Sequence, residues 1–297
     1  MRLTMRGKLT RRRRWLRALP LAAAAVLVLA GIAGAANSAS FSDRTADAGR
    51  APDITQLDVS NDEAGTITIR LTFAGGRTLG PADEVGVVLD LDQNPDTGTV
   101  YYGTEAGIRF KGNMVGFARA SGDQFSPAPP PASLQASSGA GFVTLSVSAA
   151  DVGLAPDAGF NLAAFSETSN GDADLAPDIR TFNYQQVAGK PPPDLGPDTR
   201  APVDRAFRSR GTHGRVASLV YWAADGRGVT ADTVRVYRRS RLLKTIRVSL
   251  GDANPFLLYD VRWRVPRTVR GRLRFCVRSV DAARNKSNLS CARLVIR

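Results

Sequence analysis

Residues 87–98 read Val-Val-Leu-Asp-Leu-Asp-Gln-Asn-Pro-Asp-Thr-Gly, so an apolar run delivers Asp90, Asp92 and Asn94 at alternate positions, followed by Asp96 in an Asp-Thr-Gly turn. Oxygen-bearing side chains at every second residue of a curving loop can converge on one hard cation, and an oxygen-only donor set of this kind suits calcium. The loop is not an EF-hand, because Pro95 stands where the loop glycine belongs and Tyr101 where the bidentate glutamate belongs. Without a metal, Asp90, Asp92, Asn94 and Asp96 would serve equally as Asx turns, and both readings stay open at this stage.

Two other acidic groups resemble each other. Asp43, Asp47 and Asp53 lead into Ala51-Pro52-Asp53-Ile54, and Asp172, Asp174 and Asp178 lead into Ala176-Pro177-Asp178-Ile179. Loops at one end of a sandwich cluster in space, so Asp47, Asp53, Asp172 and Asp174 are additional metal ligands if one group completes the shell of the first loop. The alternative is a set of solvated acidic loops.

Other chemistry has little to draw on. The chain holds one His and two Cys, too few soft ligands for a typical zinc site, and it restricts any Ser/His/Asp triad to His213. Asp90 and Asp92 as a carboxylate pair would suit a glycosidase, but two carboxylates on one strand face beside a turn suit metal ligation as well. The expectation is a protein that is not an enzyme, with a secreted hydrolase as the lesser alternative.

These residues sit behind an export segment. Residues 1–39 open with eight basic and no acidic side chains, then run apolar from Leu19 to Ala36 and end in small residues. That order is a secretory signal peptide with cleavage points near residues 36 to 39. Left uncleaved, the run would be a signal anchor near the lower length limit for a bilayer, which is the one way a membrane becomes a partner. Either way the protein is expected in the cell envelope or extracellular space, where disulfides persist.

The formal charge of +13 hides two oppositely charged halves. Residues 37–195 carry 9 basic and 20 acidic side chains, net −11, and residues 196–297 carry 23 basic and 7 acidic, net +16. Between them, residues 188–202 hold five prolines, a semi-rigid interdomain linker. The predicted organisation is therefore a signal (1–39), an acidic domain (40–187), the linker (188–202) and a basic domain (203–297).

Short runs of alternating apolar and polar residues between Gly, Asn, Asp and Pro mark half-buried strands. In the acidic half they fall at 54–60, 66–73, 85–91, 107–110, 114–119, 142–148, 162–166 and 179–184. In the basic half they fall at 216–223, 233–239, 242–248, 259–265, 271–280 and 292–296. Helical periodicity is not sustained anywhere beyond the signal. The fold class is all-β, two β-sandwich domains in tandem.

The Asp43–Ile54 entrance, the 85–98 strand and loop, and the Asp172–Tyr184 ending resemble DOMON-like sandwiches and family 9 carbohydrate-binding modules. That resemblance implies a jelly-roll-like sandwich, structural calcium, and in some members sugar or haem. Sugar-binding members stack their ligand on aromatics, usually Trp, and residues 40–187 hold none; Tyr101, Tyr102, Phe110, Phe117 and Phe125 are the nearby substitutes. The opening Asp198-Thr-Arg-Ala-Pro202 and the turn Asp281-Ala-Ala-Arg-Asn-Lys-Ser287 resemble bacterial immunoglobulin-like and fibronectin-like repeats, which implies a spacer or adhesion module.

A hairpin turning at Ala283 and Arg284 pairs Cys276 with Cys291, Arg274 with Arg293 and Arg272 with Val295. Both cysteines then share the outer face and a disulfide staples the terminal strand. The same parity turns Trp263 inward and Arg262 and Arg264 outward. With Arg272, Arg274 and Arg293 they would form an arginine face for an anionic envelope polymer, unless that face is merely solvated or docks onto the acidic domain. Nucleic acid is not expected, since the domain lacks interleaved exposed aromatics. The function expected is a secreted or cell-surface binding or adhesion protein, calcium-stabilised, that recognises an extracellular glycan or envelope polymer. The alternative is a structural envelope protein whose domains dock electrostatically.

Overall fold

The computed structural model describes residues 35–297 except 253 and 256. Positions 1–34 of the predicted signal lie outside the described residues. Strands dominate, and they assemble into two sandwiches with separate cores.

The first sandwich has one sheet in the order β1 (Ala35–Ser42), β2 (Ile54–Asp62), β3 (Thr66–Phe73), β9 (Phe142–Ser148), β8 (Gln135–Gly139). Its second sheet runs β11 (Ala173–Ala176), β10 (Gly159–Glu167), β4 (Glu84–Asp90), β5 (Ala106–Lys111), β6 (Met114–Ser121), β7 (Gln124–Ala128), with β12 (Phe182–Gln185) also pairing β10. Strand β3 shows why the sheets stack: Ile67, Ile69, Leu71 and Phe73 are buried, and the residues between them are half-buried or exposed. They meet Val85, Val87, Leu89 and Ile108 of the opposite sheet in one core.

Strand β4 departs from simple alternation, being buried at every position. Its second face is covered by the stretch that follows it: Tyr102 folds back to pack with Val88, Ala163, Phe165 and Leu175 in a smaller cluster. The acidic loop therefore lies on the sheet, and Asp90, at the end of β4, is 1% exposed.

The second sandwich pairs β13 (Val203–Ala206), β15 (Val216–Ala224) and β18 (Tyr259–Arg264) in one sheet. The other is β14 (Ser209–Gly211), β20 (Ser290–Ile296), β19 (Gly271–Asp281), β16 (Val229–Arg238), β17 (Arg241–Asp252). The chain crosses between sheets after β13, and β14 joins β20 in parallel. Trp263 is buried with Val261 and Val265 in this core, as strand parity requires.

Strands β19 and β20 pair Arg272 with Val295, Arg274 with Arg293 and Cys276 with Cys291, the register that the turn implied. The two cysteines form a disulfide. Leu273, Phe275, Val277, Leu294 and Ile296 point to the core. Cys276 is on the outer side but fully covered, enclosed between β16 and its disulfide partner.

Candidate metal centre

The loop after β4 is built from two successive Asx turns. Asn94 N donates to Asp92 Oδ1 at 3.0 Å, and Asp96 N donates to Asn94 Oδ1 at 3.1 Å. Asn94 thus uses its side-chain oxygen inside the turn. Asp90 Oδ1 accepts from Asn94 N at 3.0 Å and Asp90 Oδ2 from Asn161 Nδ2 at 2.8 Å.

Carboxylate oxygens of Asp90, Asp92 and Glu105 lie within 4.8 Å of one another, close enough to share a cation. Glu105 is the member that the sequence reading missed. It lies past the turn, at the foot of β5, and its Oε2 accepts from Leu91 N at 2.7 Å. The Thr97 hydroxyl bridges the group, 3.0 Å from Asp92 Oδ2 and 3.1 Å from Glu105 Oε1. Burial pushes the Asp90 carboxyl up to about 8, with the Glu105 charge adding to the rise and the Asn161 hydrogen bond opposing it. Burial likewise pushes Glu105 up to about 7.

Asp96, expected as a fourth ligand, is instead turned to the second sandwich. Arg227 grips both of its oxygens, Nη2 to Oδ2 at 2.8 Å and Nε to Oδ1 at 3.3 Å. Arg200, from the linker, donates to the carbonyls of Thr97 at 2.5 Å, Gly98 at 3.0 Å and Pro95 at 3.1 Å. A Cβ on Gly226 would fall 2.0 Å from the Pro95 carbonyl oxygen, so only glycine permits this approach. Trp222 leans against Tyr101 with ring centroids 6.3 Å apart. Asn254 Nδ2 donates to the Asp178 carbonyl at 2.7 Å, and among the described residues these groups, not the sheet arginines, make the hydrogen bonds and ion pairs between the two sandwiches.

The entrance and exit acidic groups join each other and not the first loop, which corrects the expectation that they complete its shell. Oxygens of Asp47, Asp53 and Asp174 lie within 4.8 Å of one another. Asp172 falls outside this group, packed beside Gly49. Asp174 accepts from Ile54 N at 2.6 Å and Leu175 N at 3.0 Å. Burial raises Asp174 to about 7 and Asp43 to about 6. Asp43 Oδ2 and Asp53 Oδ1 are enclosed with no hydrogen-bond partner among the described residues.

A third group, Asp198, Asp225 and Asp281, comes from three distant segments around the linker, and no local spacing announced it. Asn285 Nδ2 and N hold both oxygens of Asp281.

The five arginines predicted to share a face are divided. Arg262 and Arg264 lie on β18, on the outer side of the three-stranded sheet. Arg272, Arg274 and Arg293 lie on β19 and β20, on the outer side of the five-stranded sheet. The two sheets enclose one core, so their outer faces look in opposite directions.

Among known proteins, no family model matches the chain and no curated protein matches it. It is similar to the fibronectin(III)-like modules of Clostridium thermocellum CbhA, at 12% identity over 79% of this chain and 86% of that one, with a TM-score of 0.24. It is also similar to a CARDB domain from Pyrococcus furiosus in complex with di-metal ions, at 20% identity over 33% of this chain and 86% of that one, TM-score 0.21. A third similar structure is that of a 1.5-MDa bacterial ice-binding adhesin, at 12% identity over 78% and 58% of the two chains, TM-score 0.24. The class of this chain is set by its own sheets: an all-β protein of two sandwiches in tandem.

Proposed function

We propose that the chain is an exported, non-enzymatic binding or adhesion protein of the cell envelope or extracellular space, braced by calcium, whose partner is an anionic envelope polymer or extracellular glycan. What carries the calcium reading is the pair of enclosed oxygens, Asp43 Oδ2 and Asp53 Oδ1, beside the Asp47, Asp53 and Asp174 group. A desolvated carboxylate oxygen without a donor costs several kcal/mol unless a proton or cation meets it. The donor set is all oxygen, which suits calcium over zinc. Asp90, Asp92 and Glu105 offer a second such set at the loop that the linker holds.

The second reading, a structural protein with docked halves, is favoured by the Arg227 grip on Asp96. Thermal melts of the mature protein in calcium against chelator test the first. Binding to the folded state must raise the midpoint by mass action. The rise is expected in the parent and is reduced in Asp53→Asn and in Asp92→Asn separately. No rise at millimolar calcium would overturn the calcium reading and leave both groups as Asx-turn and proton-bearing clusters.

A further inference from the structure

The outer face of the five-stranded sheet carries Arg235, Arg247, Arg272, Arg274, Arg278 and Arg293, all exposed. Register fixes their arrangement: Arg274 lies opposite Arg293, Arg235 opposite Cys276, and Thr233 is flanked by Arg278 and Arg247. The inward neighbours Val234, Val236, Leu273, Phe275, Val277 and Leu294 are locked in the core, which fixes the direction of the arginines. Among the described residues none of the six has a carboxylate within ion-pair distance. The Cys276–Cys291 disulfide ties β19 to β20, the two strands that carry four of the six arginines.

We propose that this face binds an extended phosphodiester polymer other than a nucleic acid. Same-face side chains recur roughly every 6.7 Å along a strand, and neighbouring strands lie about 4.8 Å apart, so the charges form a flat ladder and not a pocket. A ladder fits a linear ligand with an anion at every short repeat. Guanidinium groups are donors only, and among the described side chains of this face the six arginines outnumber the acceptors, which include the hydroxyls of Thr233, Tyr237 and Thr245. A phosphodiester backbone, with two unesterified acceptor oxygens at every anion, matches such a donor-rich face better than a hydroxyl-rich acidic polysaccharide, whose many donors find fewer partners there. Bidentate pairing of arginine with phosphate adds geometric fit. Among the described residues the one ring on the face, Tyr237, lies beneath Arg274, with the guanidinium carbon 5.5 Å from the ring centroid. That leaves no platform on which single-stranded bases would stack.

This names the partner class for the function proposed above and rests on export of the chain. The test titrates the full mature protein, in chelator, with poly(glycerol phosphate), polygalacturonate and duplex DNA at several salt concentrations. Poly(glycerol phosphate) is expected to bind best, with affinity falling steeply as salt rises. Arg272→Glu/Arg274→Glu/Arg293→Glu should lose more than about tenfold and flatten the salt slope by about 2. Arg262→Glu/Arg264→Glu, on the opposite sheet, carries two-thirds of that charge change and should bind as the parent does. A matched thermal midpoint shows that each variant folds, and the single variant Arg293→Glu supplies a milder form should the triple one unfold. Equal losses in the two sets, or tighter binding of polygalacturonate or DNA, would overturn the proposal. Polymer binding by a chain that fractionates with the cytoplasm would instead overturn export and leave the surface standing.

Discussion

Arg227 Nη2 lies 2.8 Å from Asp96 Oδ2, joining residues 131 positions apart and carrying the second sandwich onto the acidic loop of the first. Both side chains are largely covered, at 27% and 17% exposure. The charge of Asp96 is thereby used for docking, while Asp90, Asp92 and Glu105 remain as the cation group. Metal response and domain docking should therefore separate by mutation. Arg227→Ala is expected to cost about 1 kcal/mol, to increase the radius of gyration in solution scattering, and to leave the calcium-induced rise in midpoint intact. A variant that lost the calcium rise instead would show that the cation group depends on the docked second sandwich.

Glu105→Gln separates the two charge states of the loop. Gln retains an oxygen for the Leu91 amide and an NH2 for the Thr97 hydroxyl, so the hydrogen bonds at 2.7 and 3.1 Å survive. It also removes one of three crowded carboxylates that burial already disfavours. In chelator the variant should melt no lower than the parent, and in calcium it should gain less. A lower midpoint in chelator with an unchanged calcium increment would make Glu105 a purely structural acceptor.

What could be read from the sequence follows the reach of each signal. Alternation finds strands such as β3 and β9, whose two faces meet opposite environments. It misses β8, whose Gln135-Ala-Ser-Ser-Gly139 has no apolar stripe because it is an edge strand. It misses β7 for the same reason. Register was legible at Cys276 and Cys291 because a short turn and the inward parity of Phe275 and Leu294 admit one pairing. Glu105 was not legible, since its closeness to Asp90 depends on how the stretch between them folds back under Tyr102. The arginine face was half legible: parity says which residues point outward, but only topology says that β18 belongs to the other sheet.

The disulfide closes a loop of 15 positions on the terminal strand. In the chain-entropy account such a closure contributes about 3 kcal/mol. Cys276→Ser/Cys291→Ser is expected to lower stability by about that amount in denaturant melts, and the parent in reductant should match the variant. A loss under about 1 kcal/mol would mean that the core contacts of β20 alone hold the strand.

Ser279 has one hydroxyl hydrogen for two carboxylates, and this gives the second sandwich an acid-dependent term. Its Oγ contacts Asp232 Oδ1 at 2.6 Å and also Asp204 Oδ1, while Tyr221 donates to Asp232 Oδ2 at 2.7 Å and Ser287 donates to Asp204. With both acids ionised, one of the two Ser279 contacts sets oxygen against oxygen. A proton on Asp204 turns that contact into a donated hydrogen bond. Burial raises the Asp204 carboxyl above its ordinary 3.8, against the pull of its Ser279 and Ser287 hydrogen bonds and the nearby Arg278 charge. A group raised on folding stabilises fully below its unfolded value, and that contribution is lost as pH rises through the folded value. The parent should therefore gain stability relative to Asp204→Asn as pH is lowered from neutrality toward about 4, by at most one proton's worth, about 1.4 kcal/mol per pH unit. Asn carries no titrating proton, so its midpoint should follow pH less steeply than the parent's. Parallel curves for the two proteins across that range would show that Asp204 stays ionised and that Ser279 serves Asp232 alone.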